Sequence, residues 1–163
     1  MRVADSATAD AERFMGIALQ SAERGMAAGG PPVGACLVRD GKVIAVGQNA
    51  VISELDVTAH AEIVVIREAC RQTRSLSLEN TTLFVTIEPC PMCLAACHYA
   101  GIGEIIYGAP IQALHAVTGD ELCVAADQLL APHSSLKLSG GLLAADAEAL
   151  IKQWQSLRQG RRA

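Results

Sequence analysis

The spacing of apolar residues changes several times along the chain, and each change marks an element. Phe14, Ile17, Ala18, Ala22 and Met26 recur at helical intervals, which predicts a helix over 9–28. Gly29-Gly30-Pro31-Pro32 ends it and opens a loop. Two short apolar runs follow, 33–39 and 43–47, joined by Asp40-Gly41. That dipeptide between apolar runs predicts a hairpin. Residues 48–58 are polar and irregular. The next helix is expected over 59–74, with Ile63, Val64, Ile66 and Ala69 on its apolar face and Asp56 or Thr58 as its cap. A strand is expected at 83–87. Pro91 suits the first turn of a helix over 91–100, and a further strand is expected at 104–108. Residues 109–135 read as a short helix and loops, 136–138 as a last strand, and 142–158 as a final amphipathic helix bearing Leu143, Leu150, Ile151, Trp154 and Leu157.

Helices alternating with strands after one hairpin imply an α/β protein with a mixed sheet covered on both faces. At 163 residues the chain suits a single domain over 1–163, and it is half hydrophobic. Aromatic residues make up only 3%, so the core must be built from Ala, Leu, Val and Ile. The net charge of −4 argues against a large nucleic-acid-binding face, because phosphate contacts dominate such affinity. Arg158, Arg161 and Arg162 form a short basic tail that reads as a solvated end. No apolar run is long enough to span a membrane, and the first residues lack a leader's apolar core, so a cytoplasmic protein is expected. Six cysteines in that compartment suggest thiols or metal ligands over disulfides.

Cys90-Pro91-Met92-Cys93 sets two thiols on one face at a helix start, where the dipole and free N–H groups favour thiolates. Cys36, Cys70, Cys97 and Cys123 stand alone in apolar surroundings and read as small buried hydrophobes. A structural zinc needs four ligands, and no second C-x-x-C is present. With His60 the set becomes one nitrogen and two sulfurs. Three ligands and an open position describe a catalytic zinc, one per chain, with a bound water or hydroxide. Glu62 is then the candidate proton carrier. His60 and Glu62 are two apart, which on a regular helix puts them on nearly opposite sides. At a helix start, a pocket wrapping the end can receive both. The competing reading is a structural or redox zinc protein, with His98 as the most plausible extra ligand, although it sits off the ligand face.

His60-Ala61-Glu62 followed by Pro89-Cys90-Pro91-Met92-Cys93 fits the zinc deaminase pattern H-x-E…P-C-x-x-C. With PPVGA (31–35), GQN (47–49), TAHAE (58–62), EPCPMC (88–93) and IGEIIYGA (102–109), the chain resembles the cytidine-deaminase-like zinc deaminases. The resemblance implies a three-layer α/β/α fold with a five-stranded sheet, a homodimer or larger oligomer, and hydrolytic loss of ammonia from a base. It implies that His60, Cys90 and Cys93 hold zinc and that Glu62 shuttles protons. It also points to Asn49, Ala61 and Tyr99 as substrate contacts, and to Asp120 or Glu121 as an acid pairing with the ring.

Two branches compete. The segment 136–154 resembles the tRNA-editing adenosine deaminases, while EPCPMCL and Tyr99 resemble the guanine deaminases. Ala109-Pro110-Ile111 lacks the charged residues that the tRNA branch carries there, and the chain is acidic. These features favour a free nucleobase as the small-molecule substrate, with tRNA as the alternative partner. The tail has no aromatic residue to cover the site as in guanine deaminases, which leaves cytosine-like and triazine substrates open.

Overall fold

The computed structural model describes residues 3–124, 126–130 and 134–160. Its elements run α1 (Val3–Ala27), β1 (Gly34–Arg39), β2 (Lys42–Gln48), α2 (Val51–Glu54), α3 (Ala61–Thr73), β3 (Thr82–Ile87), α4 (Pro91–Ala100), β4 (Glu104–Ala109), α5 (Ile111–Thr118), α6 (Ala126–Leu129), β5 (Lys137–Gly140) and α7 (Ala144–Gly160). The strands form one sheet in the order β2-β1-β3-β4-β5. β1 pairs antiparallel with β2 and β3, while β3–β4 and β4–β5 are parallel. The expected five-stranded mixed sheet is therefore present.

Strand alternation explains the layers. Along β1, Ala35 and Leu37 join the core that also holds Val65 of α3 and Leu94 of α4. Cys36 and Val38 turn the other way, toward Phe14, Met15 and Ala18 of α1. β3 repeats the pattern, with Leu83, Val85 and Ile87 in the first core and Phe84 in the second. α1 lies so close to β1 that a Cβ at Gly34 would run into the backbone of Ala18 and Ala22. Asp40 and Gly41 both have positive φ, the backbone of a two-residue hairpin turn. β1 and β2 slip register between Leu37 and Val38, because Leu37 faces Ala45 while Val38 faces Val43.

Several sequence expectations are corrected in detail. α1 begins six residues before the expected position, at Val3. The irregular stretch 48–58 contains α2, and the segment 109–135 contains both α5 and α6. α3 is capped by neither Asp56 nor Thr58: its N-cap is His60, which makes no side-chain capping bond. Asp56 instead accepts from the backbone N–H and hydroxyl of Thr58 and from Arg67. Leu143 does not start the last helix. It has positive φ just before Ala144 and packs against the second core. Cys36 and Cys97 are buried and Cys70 is half-buried, but Cys123 is exposed, because its segment carries no regular element over the core. Arg161 and Arg162 lie outside the described residues. Among the described residues no helix is long and apolar enough to cross a membrane.

Candidate active site and metal centre

Two helix starts converge on one point. His60 is the N-cap of α3 and Cys90 the N-cap of α4, and both have extended backbones. Cys90 follows closely on the end of β3, and a buried threonine fixes that end in place. Thr86 Oγ1 accepts from the Gly34 N–H and donates to the Pro32 carbonyl, tying the loop before β1 to β3. Pro31 and Val33 of that loop line the same cavity as His60 and Cys90.

His60 Nδ1 lies 3.6 Å from Cys90 Sγ and 3.5 Å from Cys93 Sγ. The three ligand atoms all fall within 4.8 Å of one another. A tetrahedral zinc with Zn–N of about 2.1 Å and Zn–S of about 2.3 Å separates its N and S ligands by about 3.6 Å. The side chains already stand at that spacing. The donor set therefore fits zinc, with one position left for a non-protein ligand.

The electrostatics agree with a thiolate site. A hydrogen bond from the Cys93 thiol and a further one from His60 hold Cys90 down, to about 4. The same sharing, together with burial, pushes Cys93 far up. The bond to Cys90 raises His60. A metal binding at these sulfurs must displace whatever protons they hold.

Glu62 is 3% exposed, and its Oε2 has no hydrogen-bond partner. Burial pushes its carboxyl up to about 7. A buried carboxylate oxygen with nothing to accept from is costly, and such atoms are rare outside working sites. Glu62 lines the cavity beside His60 and Cys90.

The cavity measures about 260 Å³. Its apolar walls include Val33, Ile87, Ile111 and Leu114. Asn49 Oδ1 accepts from the Val51 N–H, which leaves its amide NH2 as the donor toward the cavity. Asn49 thus bonds the turn after β2 and also lines the cavity. Glu88 Oε2 accepts from the Ile111 N–H and so anchors the start of α5.

Comparison with known proteins decides the family. Residues 8–109 match the model of the cytidine and deoxycytidylate deaminase zinc-binding region. The chain belongs to this zinc deaminase family. The tRNA-specific adenosine deaminase of Streptococcus pyogenes serotype M1 is 38% identical over 149 residues, covering 91% of this chain and 84% of the relative. The guanine deaminase of Bacillus subtilis strain 168 is 43% identical over 99 residues, covering 60% and 64%. A structure from studies of A-to-I editing by tRNA:A34 deaminases at the wobble position of transfer RNA superposes with a TM-score of 0.74 at 35% identity, covering 85% of this chain and 98% of that one. Over the first curated relatives the match takes in between 8% and 65% of their own length.

The deaminase fold brings together His60, Glu62, Cys90, Asn49 and Glu121 around one cavity, and Cys93 joins His60 and Cys90 in the metal-ligating cluster. Three expected contacts lie elsewhere. Ala61 is buried in the core, because the first residue of α3 turns its methyl inward. Tyr99 is 85% exposed on the outer face of α4, beside His98 and bordering a separate groove with Leu129 and Leu130. Asp120 is exposed, with its N–H bonded to Thr118 Oγ1, and the neighbouring Glu121 faces the cavity instead. His98 bonds Ser134 and is no ligand. Sequence reasoning missed Glu88, Thr118 and Trp154 as wall residues. Trp154 was legible only as part of an apolar helix face. Its place in the wall depends on how α7 packs against β4 and α5, which no local pattern encodes.

Proposed function

We propose that this chain is a zinc-dependent hydrolytic deaminase that converts an adenosine in tRNA to inosine. The reach of the likeness carries the reading. An alignment covering 91% of the chain must include the segment bearing Ile111, Leu114, Thr118 and Glu121, which line the cavity. A relative that shares this segment, at 38% identity, is named for tRNA adenosine. This reverses the preference for a free base drawn from net charge and from Ala109-Pro110-Ile111.

His60, Cys90 and Cys93 would hold the metal. When bound there, zinc lowers the pKa of a coordinated water to about 7. The overall reaction would add water at the ring carbon bearing the amino group, break the carbon–nitrogen bond and release ammonia. Glu62 would move both protons: it accepts one from the water and delivers it to the adjacent ring nitrogen, then takes the proton of the added hydroxyl and passes it to the departing amine. Its burial, and a pKa raised to about 7, suit both directions of transfer. The amide NH2 of Asn49 donates to a ring acceptor. The apolar walls keep bulk water from the ring. The proposal includes a homodimer, for which a solution mass near two 17.0 kDa chains is expected.

The second reading is a free purine or other amino-substituted base. It is supported by the guanine deaminase relative and by a cavity whose described lining holds three glutamates and no Lys or Arg. The test compares inosine formation in an anticodon stem-loop with ammonia release from guanine, cytosine and triazines. Inosine in the stem-loop is the expected result. Ammonia from a free base, with an unchanged stem-loop, would transfer the function to the second reading.

A further inference from the structure

The anchoring of α5 uses only one of the two side-chain oxygens of Glu88. Oε2 accepts from the Ile111 N–H at 3.2 Å. Among the described residues Oε1 has no hydrogen-bond partner, and unlike Glu62 Oε2 it is not sealed in the interior. Glu88 lines the cavity together with Glu62, His60 and Cys90. The residue is only 8% exposed, so Oε1 opens toward that cavity. A carboxylate oxygen so placed, with no protein donor, calls for a donor from the ligand.

Three contacts fix this residue. Its backbone N–H donates to the Ala109 carbonyl at 2.8 Å, at the end of β4. Pro89 follows it, fully buried, and restricts Glu88 to extended backbone. The bond to Ile111 holds the carboxyl group itself. Cys90 is two residues on, so its Cα lies within about 7 Å of the Cα of Glu88. The open oxygen therefore stands beside the metal-ligating cluster, where the ring carbon under attack must also lie.

We infer that Glu88 Oε1 accepts a hydrogen bond from the exocyclic amino group that the reaction removes, which makes Glu88 a specificity residue favouring the amino-bearing substrate over its oxo product. The inference rests on the reading that an amino-substituted ring occupies the cavity, and it holds for tRNA adenosine and for a free base alike. The amino group is bonded to the carbon under attack, so it is the donor nearest the metal cluster. In adenine joined to ribose it is also the ring system's sole N–H donor. Asn49 serves the complementary need, because its amide NH2 donates to a ring acceptor. After deamination a carbonyl oxygen replaces the amino group and meets Glu88 Oε1 lone pair to lone pair. The product is then held less firmly than the substrate and leaves more readily. Glu88 transfers no proton; that work stays with Glu62.

Glu88→Gln separates this contact from the anchor. The glutamine carbonyl can still accept from the Ile111 N–H, while its NH2 takes the place of Oε1 and turns an acceptor into a donor. Zinc-loaded full chain carrying Glu62→Gln is the background, so that turnover does not disturb binding. An anticodon stem-loop bearing adenosine or inosine at the target position is titrated by fluorescence anisotropy. Guanine and xanthine are titrated by the fluorescence of Trp154, the single tryptophan and a wall residue. In the background, the amino member of whichever pair binds should be favoured by about tenfold or more, the worth of one charge-assisted hydrogen bond. Adding Glu88→Gln should cut that preference to less than about twofold or invert it, with the urea midpoint unchanged. No preference in the background, a preference that survives Glu88→Gln, or binding of neither pair would each overturn the inference. So would a preference lost only together with a lowered urea midpoint, which marks a purely structural role. Which pair binds judges the substrate reading separately.

Discussion

Replacing Glu62 with Gln isolates what the site costs the fold. The carboxyl titrates at 4.5 in ordinary surroundings and at about 7 when folded without metal. At low pH it is neutral in both states and costs nothing by ionisation. As pH rises above 4.5 the unfolded chain ionises first, so the folded state is progressively penalised until its own carboxyl ionises near 7. The full penalty is about 3 kcal/mol, since each tenfold change in proton affinity is worth about 1.4 kcal/mol. At pH 5 less than about 1 kcal/mol of it has developed. Gln carries no charge, and its own unmet hydrogen bond adds a cost that does not vary with pH. Urea unfolding of the chelator-treated wild type and Glu62→Gln should therefore show the variant gaining on the wild type by about 2.5 kcal/mol between pH 5 and pH 8. In the zinc-loaded protein the same variant should lose deamination by a factor of about 100 or more. A stability difference that stays constant with pH would refute the buried, ionisable Glu62. Retained activity would refute its proton-carrying role.

Cys93→Ser should lower bound zinc from one per chain to near zero by elemental analysis, and chelation should lower the melting temperature of the wild type but not of the variant. Glu88→Ala should cost about 1–3 kcal/mol in denaturant unfolding, because the buried Ile111 N–H loses its acceptor, and it should loosen α5 in hydrogen exchange. Gly34→Ala should cost about 3 kcal/mol or prevent folding, since its methyl would strike α1 backbone that cannot give way, and circular dichroism melts would detect it. Near-normal stability of that last variant would mean α1 lies farther from β1.

The metal set was legible because its residues announce themselves chemically. Cys90 and Cys93 share a helix start, and His60 supplies the missing nitrogen, so identity and spacing together imply one site before any tertiary contact is known. Asn49 and Glu121 were reachable only through the family resemblance. Trp154 and Thr118 carry ordinary local roles, one on an amphipathic helix and one at a helix end, and their place in the wall follows from the packing of α5 and α7. Tyr99 misled for the opposite reason. Its resemblance to a substrate-contacting position is real in sequence, yet on this chain it faces outward from α4, the side away from the core-facing Cys93 and Cys97. Helical phase, not residue type, decides which face a side chain reaches.

The same point resolves the two-residue spacing of His60 and Glu62. The objection that such neighbours diverge holds only when both are inside a helix. His60 is not: as N-cap it has ψ of 157°, so its side chain leaves from an extended segment, while Glu62 is the second residue of α3. One residue belongs to the loop and the next-but-one to the helix, and the turn between them lets both reach the same cavity. Moving the helix start back, to the expected Asp56 or Thr58 cap, would have put His60 into the first turn and parted it from Glu62. The cap is thus a catalytic feature as much as a structural one. Asp56, by binding the Thr58 N–H and hydroxyl itself, holds the preceding turn in place and leaves His60 to end the loop. Asp56→Ala should accordingly reduce activity more than stability, by letting α3 extend backward and turn His60 away from the two sulfurs. Deamination rates and urea unfolding of that variant, measured side by side, check this, and an unchanged rate would show that the cap holds without Asp56.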